Sequence, residues 1–333
     1  MALITDRRSL LTGAAGLGAA ASLGACANAR VVGFDKARKS LDIANSSEPL
    51  SLDPHKATGS WENNILGNMF IGLTTENSRS EPVPGMAERW EVSEDLLTWT
   101  FFLRRDARWS DGEQCDAHDF VFAMQRILRP ETLSQYASFL YPLKNAELIN
   151  NPPEGTEALP AEQLGVTALD DFTLEIRLEH PAPYLPQLLK HYTAYPIPKH
   201  VYERVGDDWV KPENIAVNGP FKLVRWWSNY IIHIEKNPNF FDAESVTLEH
   251  LYFYPQNDVQ AAARRVLSGE AGWATRFPSN QVEVLNRDLP GYVRVSPYLT
   301  VNYFSFNMTR PPFDDIRVRQ AMAMAYDRDF VAS

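Results

Sequence analysis

Two hydrophobic periods alternate along the chain. Thr173-Leu174-Glu175-Ile176-Arg177-Leu178 sets polar against apolar residues one for one, the period of a strand with one buried face. Trp99, Phe101 and Leu103 share one face in the same way, and residues 231–235, 248–254, 292–295 and 300–306 are further candidate strands. Helical spacing appears after Asp116, an N-cap residue type. Phe120, Ala123, Met124, Ile127 and Leu128 follow an i, i+3, i+4, i+7, i+8 pattern, and Pro130 stops the run. A second helix is expected over 259–268, between Asp258 as cap and Gly269 as terminator, and a third from Ile316 to Ala325 behind Asp314-Asp315. Ser110-Asp111-Gly112, Asn218-Gly219-Pro220 and Asp170-Asp171 read as turns, and the polar, proline-rich stretch 150–165 as a long surface loop. Strands mixed with helices place the chain in the α/β or α+β classes. No repeat with a period of about 20–50 residues is evident.

The N-terminus does not belong to this pattern. Paired Arg7 and Arg8 precede a mildly apolar run of Leu, Ala and Gly through Ala25, too short and too glycine-rich for a bilayer-spanning helix. It resembles a twin-arginine export signal, and Leu23-Gly24-Ala25-Cys26 at its end resembles a lipobox with Cys26 as the lipidated residue. Residues 1–25 are therefore read as a signal peptide and 26–40 as a lipid-anchored tether, in the periplasm. Cys115, the second of two cysteines, then lacks a disulfide partner and is read as a small filler residue. The 333 residues suit about two domains. A net charge of −10 argues against a nucleic-acid partner.

Catalytic chemistry is hard to find. There is no Gly-x-Ser-x-Gly, no His-Glu-x-x-His, no phosphate loop and no dinucleotide fingerprint. None of His55, His118, His180, His191, His200, His233 and His250 pairs with another at helical spacing, so no metal site and no cofactor is implied. His233 and His250 fall in strand-like segments and read as exposed-face residues.

What does stand out is an ordered series of turn and aromatic signatures. Ser51-Leu52-Asp53-Pro54-His55-Lys56 comes first, then Pro84-Gly85-Met86-Ala87-Glu88-Arg89-Trp90. Ala107-Arg108-Trp109-Ser110-Asp111-Gly112-Glu113 leads into Ala117-His118-Asp119-Phe120. Tyr136-Ala137-Ser138-Phe139-Leu140, Asn218-Gly219-Pro220-Phe221, Lys236-Asn237-Pro238-Asn239-Phe240 and Pro311-Pro312-Phe313-Asp314-Asp315 follow. In this order they resemble the extracytoplasmic solute-binding proteins of peptide ABC transporters (family 5), most closely the oligopeptide-binding branch, from about Leu41 to Phe330.

The resemblance implies an α/β, two-lobed periplasmic-binding-protein-like fold with mixed sheets. Lobe I would comprise 41–70 and 197–299, an extra domain 71–196, and residues 300–333 would begin a second lobe left incomplete by C-terminal truncation. It implies a receptor, not an enzyme, that captures oligopeptides and delivers them to inner-membrane permease subunits, tethered only by its lipid and monomeric at full length. Thr58, Gly59 and Ser60 would present backbone to the peptide, with Tyr136 at the pocket wall and Tyr298, Thr300, Asn302 and Tyr303 near a crossover strand. For the tyrosines, ordinary core packing is the competing reading. The alternatives are a secreted lipoprotein hydrolase, or a receptor of the same fold for dipeptides, cell-wall peptides, oligosaccharides or metal chelates.

Overall fold

The structure is a computed structural model that describes residues 34–35, 37–288, 290–294 and 303–328. Two units result, one reaching Val282 and one starting at Glu283. In the first, β1 (Phe34–Asp35), β2 (Ser40–Ala44) and α1 (Ser60–Met69) are followed by β3 (Thr74–Glu76), β4 (Pro82–Pro84), β5 (Ala87–Val92) and β6 (Thr98–Leu103). Next come α2 (Ala117–Leu128), α3 (Ala146–Asn150), β7 (Val166–Asp170), β8 (Thr173–Arg177), α4 (Leu185–Leu188) and α5 (Lys199–Val205). The unit continues with β9 (Phe221–Trp227), β10 (Ile231–Lys236), β11 (His250–Tyr254), α6 (Val259–Leu267) and β12 (Trp273–Ala274).

One mixed sheet runs β1-β2-β11-β10-β9, with β12 also paired to β2. β2 lies parallel to β11 and β12, and the remaining pairs are antiparallel. An antiparallel sheet runs β5-β6-β8-β7, and β3-β4 form a small hairpin. The alternation seen in the sequence is the alternation of burial. Trp99, Phe101 and Leu103 of β6, Leu174 and Ile176 of β8, Ile232 and Ile234 of β10, and Leu251 and Phe253 of β11 point into one continuous core. Helix α2 buries Phe120, Ala123, Met124, Ile127 and Leu128 on the same core, behind an Asp116 carboxylate that accepts from the His118 and Asp119 amides. Helix α6 is capped by Asp258, and Gly269 follows it at φ 79°.

The Asn218-Gly219 turn is a junction rather than a surface loop. Asn218 Oδ1 accepts from the Ile71 amide at 3.1 Å, and its Nδ2 donates to the Ile71 carbonyl at 3.0 Å. The Gly219 amide donates to Met69 O at 2.8 Å. A Cβ on Gly219 would stand 2.6 Å from the Met69 carbonyl carbon, so only glycine lets β9 start against the end of α1.

Four expectations need correction. The 150–165 stretch is surface loop over 151–160, but beyond it Ala161 and Leu164 are buried in the core. His233 and His250 are half-buried, not exposed, and are diagonal neighbours across β10 and β11 with Nε2 and Nδ1 3.1 Å apart. Residues 292–294 of the 292–295 candidate carry no strand; Val295 lies outside the described residues. Residues 303–306 of the 300–306 candidate are likewise irregular, with Tyr303 78% exposed. Alternation alone is not enough, because a strand's amides and carbonyls need a neighbouring strand, and among the described residues none pairs with 303–306.

The second unit holds α7, which starts at the boundary (Val282–Asp288), and α8 (Ile316–Ala325). α8 is capped by Asp315, which accepts from the Arg317 amide, and none of its residues is buried. Among the described residues no helix is long and apolar enough to cross a membrane.

Candidate ligand-binding site

The site grows out of the Asp53-Pro54-His55-Lys56 turn. The Asp53 carbonyl accepts from the Lys56 and Ala57 amides, both at 3.0 Å, and its carboxylate accepts from the His55 amide at 2.9 Å. That carboxylate is buried and meets Arg126 of α2 through two bonds of 3.2 and 2.7 Å. Burial alone would raise the Asp53 carboxyl, but the Arg126 charge, with the bond from the His55 amide, holds it below its ordinary value. His55 is also buried. Burial, aided by the Arg126 charge, pushes its imidazole down to about 3, so it is neutral. Arg126 can only donate, so the His55 Nδ1 that lies 2.9 Å from it accepts.

From this anchored turn the chain passes to Thr58, Gly59 and Ser60. Gly59 is extended (φ −103°, ψ 155°) and caps α1. Its amide donates to the buried Glu62 carboxylate at 2.7 Å, and the other Glu62 oxygen accepts from the Leu50 amide at 3.0 Å. A Cβ on Gly59 would stand 2.5 Å from both Glu62 Oε2 and the Trp61 ring, so a larger residue here would have to displace those two side chains. Thr58 is half-buried and its carbonyl accepts from the Tyr136 hydroxyl at 3.1 Å, while Ser60 is exposed.

Tyr136 belongs to a wall. Its ring meets Phe139 at 5.5 Å, His191 at 6.1 Å and Tyr192 at 6.3 Å, all edge-on. Phe139 stacks on His191 at 4.7 Å, and His191 contacts Tyr192 at 4.1 Å. Burial pushes His191 down to about 4, so the wall is uncharged at neutral pH. Phe139 keeps 40% of its surface exposed. An extended, glycine-containing segment beside a neutral aromatic face can hold a ligand with polar main chain and apolar side groups.

The structure thus brings Thr58, Gly59, Ser60 and Tyr136 to one place. It adds Phe139, His191 and Tyr192, which sequence reasoning did not assign. Phe139 lay within a noted motif, three residues after Tyr136, whereas the approach of His191 from 55 residues further on left no local trace. Tyr303 lies in the second unit. Tyr298, Thr300, Asn302, Cys26, Arg7 and Arg8 lie outside the described residues. Cys115 is buried with its thiol pushed up by burial, and Asn218 Nδ2 lies 3.8 Å from its sulfur, as suits a filler residue. Among the described residues no group of three or more His, Cys, Asp or Glu is placed to hold a metal ion.

Comparison with known proteins places the chain among relatives along most of its length. The chain is 39% identical over 297 residues to the periplasmic oligopeptide-binding protein OppA of Salmonella typhimurium, covering 89% of this chain and 54% of that protein. It is 35% identical over 288 residues to YgiS of Escherichia coli, described as a probable deoxycholate-binding periplasmic protein, covering 86% and 53%. Among solved structures, Haemophilus influenzae OppA in complex with RPPGFSPFR matches with a TM-score of 0.83 and 34% identity, over 90% of this chain and 57% of that one. The chain spans about half the length of the curated relatives it matches. Residues 81–333 match the model of the middle region of the bacterial extracellular solute-binding proteins, family 5. With that match, the ordered signatures and the shared fold, the chain belongs to the family 5 bacterial extracellular solute-binding proteins.

Proposed function

We propose that the chain forms the ligand-facing part of an ABC-importer receptor that captures short peptides in the periplasm and passes them to an inner-membrane permease. The observation that carries this reading is the meeting of Thr58–Ser60 with the Tyr136 wall, in a chain that superposes on a relative solved with RPPGFSPFR. Peptide main chain would bond to the extended segment and apolar side chains would lie on the aromatic face. Affinity then depends on main chain and termini more than on side-chain identity. Residues 41–70 and 197–299 would make one lobe, 71–196 an accessory domain and 300–333 the entry to a second lobe. Tyr298, Thr300, Asn302 and Tyr303 would meet the ligand from that side.

Calorimetry with short peptides, free and N-acetylated, tests the proposal on the protein in the length the cell makes. Tyr136→Ala should weaken binding by about 1–3 kcal/mol without abolishing it. An unchanged affinity in the variant would remove Tyr136 from the site. The relative described as a probable deoxycholate-binding protein favours a second reading, in which the wall holds a rigid apolar ligand. Tight binding of a bile acid with no binding of any peptide would select it.

The lipobox reading adds an anchor at Cys26 behind the Arg7-Arg8 export signal. Cys26→Ala should leave the protein exported but in the soluble fraction, since stable tethering takes more than one lipid chain. Full membrane retention of that variant would contradict the anchor.

A further inference from the structure

The Asp53–Arg126–His55 cluster is buried, charged and outside the ligand-facing surface, and general stability does not explain it. A buried ion pair contributes little that a packed apolar pair would not, but it imposes one geometry. That geometry has a direction. Residues 126–136 grip residues 53–58 at two points, Arg126 holding Asp53 and His55, and Tyr136 holding the Thr58 carbonyl. The guanidinium is itself fixed. Its Nη2 donates to Asp207 Oδ1 at 3.4 Å, the Tyr202 ring lies 4.8 Å beneath it, and the Arg126 carbonyl accepts from the Thr132 hydroxyl. Lys56, within the gripped segment, bonds the same Asp207 at 3.1 Å. Ion pair and hydroxyl bond therefore tie the segment leading into Thr58–Ser60 to the end of α2 and to the residues after α5.

We propose that Arg126 is a positioning residue for the ligand site: with the Tyr136 hydroxyl it forms a two-point clasp that holds the 53–60 segment in its binding orientation before any ligand arrives. The proposal rests on the peptide-binding reading. It predicts that Lys cannot replace Arg126, because an ammonium is a single point charge and cannot serve both Asp53 oxygens and His55 Nδ1 in one plane. Loss of the clasp lowers the fraction of molecules with the segment in place, and apparent affinity falls by that fraction.

The test compares wild type, Arg126→Lys, Tyr136→Phe and the double variant by two readouts. Hydrogen exchange in the ligand-free protein reports the Lys56, Ala57 and Gly59 amides, which bond to Asp53 O and Glu62. Calorimetry reports affinity for whichever short peptide the wild type binds. Exchange at these three amides should rise about tenfold or more in each single variant while β8 and β10 amides stay protected, with a matching loss of affinity. The double variant should fall short of the product of the two single effects, because both act on one segment. Unchanged exchange at 56–59 in both single variants overturns the proposal, as does raised exchange with wild-type affinity. Tyr136→Phe, which removes one hydroxyl, gives the answer should Arg126→Lys fail to fold. A wild type that binds no peptide refutes the peptide reading, and the exchange result then still decides whether the clasp orders the segment.

Discussion

Asp119→Ala is expected to destabilise the fold by about 3 kcal/mol, because it strands one fully buried indole N–H and two half-buried backbone amides from three separate segments. One Asp119 oxygen accepts from the indole N–H of Trp109 at 2.9 Å and from the Asp116 amide at 3.2 Å. The other accepts from the Lys199 amide at 3.1 Å. Trp109 is fully buried, so its N–H has no water to turn to. The carboxylate joins the Trp109-Ser110-Asp111-Gly112 turn, the start of α2 and the start of α5. Asp119→Asn should cost roughly half as much, since its amide nitrogen cannot accept. Denaturant unfolding of the two variants at pH 7 checks both. A loss below about 1 kcal/mol for the alanine variant would mean that water replaces the carboxylate at all three donors.

Acid should weaken the fold from pH 6.5 downward, well above the range where ordinary carboxylates titrate. His55 is held down to about 3 and His191 to about 4, both mainly by burial. Between those values and the ordinary 6.5 the unfolded chain binds more protons than the native one. Each histidine then removes up to about 1.4 kcal/mol of stability per pH unit as pH falls. Asp119 acts the other way. Burial pushes it up to about 6 against its three donors, so the native state binds the extra proton between 6 and 3.8 and gains stability as pH falls. Below pH 6 one histidine is thus offset, and the slope of the second remains. Asp53, held low, adds its own loss once pH passes below its ordinary 3.8. Unfolding free energies at pH 7.5, 6 and 5 check the sign. His55→Gln should flatten the profile and Asp119→Asn should steepen it. Equal stability of the wild type at pH 7.5 and 5 would contradict the account.

The local patterns carried much of this into view before any coordinates. The Asp116 cap and the Pro130 stop around the Phe120–Leu128 spacing marked α2 within one residue, and the Asp258 and Gly269 boundaries of α6 stand where caps belong. Thr58, Gly59 and Tyr136 came from a resemblance, and the structure sets them beside one another. Other features had no local mark. Arg126 reads as one more polar position on an amphipathic helix, and its bonds to Asp53 and His55 span 73 and 71 residues. Asp119 sat in a noted motif, but its tie to Lys199 spans 80 residues. The histidines of β10 and β11 looked separate because the 16 residues between them hide a strand register that makes them diagonal neighbours on one face. Residues 303–306 misled in the opposite sense, since alternation marks what a strand would bury and not whether a neighbouring strand is there.

In the proposed function the ligand is a peptide held by its main chain. Native mass spectrometry of the protein purified from its own cells tests this most directly. The account predicts bound species whose masses resolve, on fragmentation, into ladders of amino-acid residues of mixed sequence and that exchange with added short peptides. A bound bile acid, sugar or metal chelate, with no peptide taken up from a mixed pool, would contradict it.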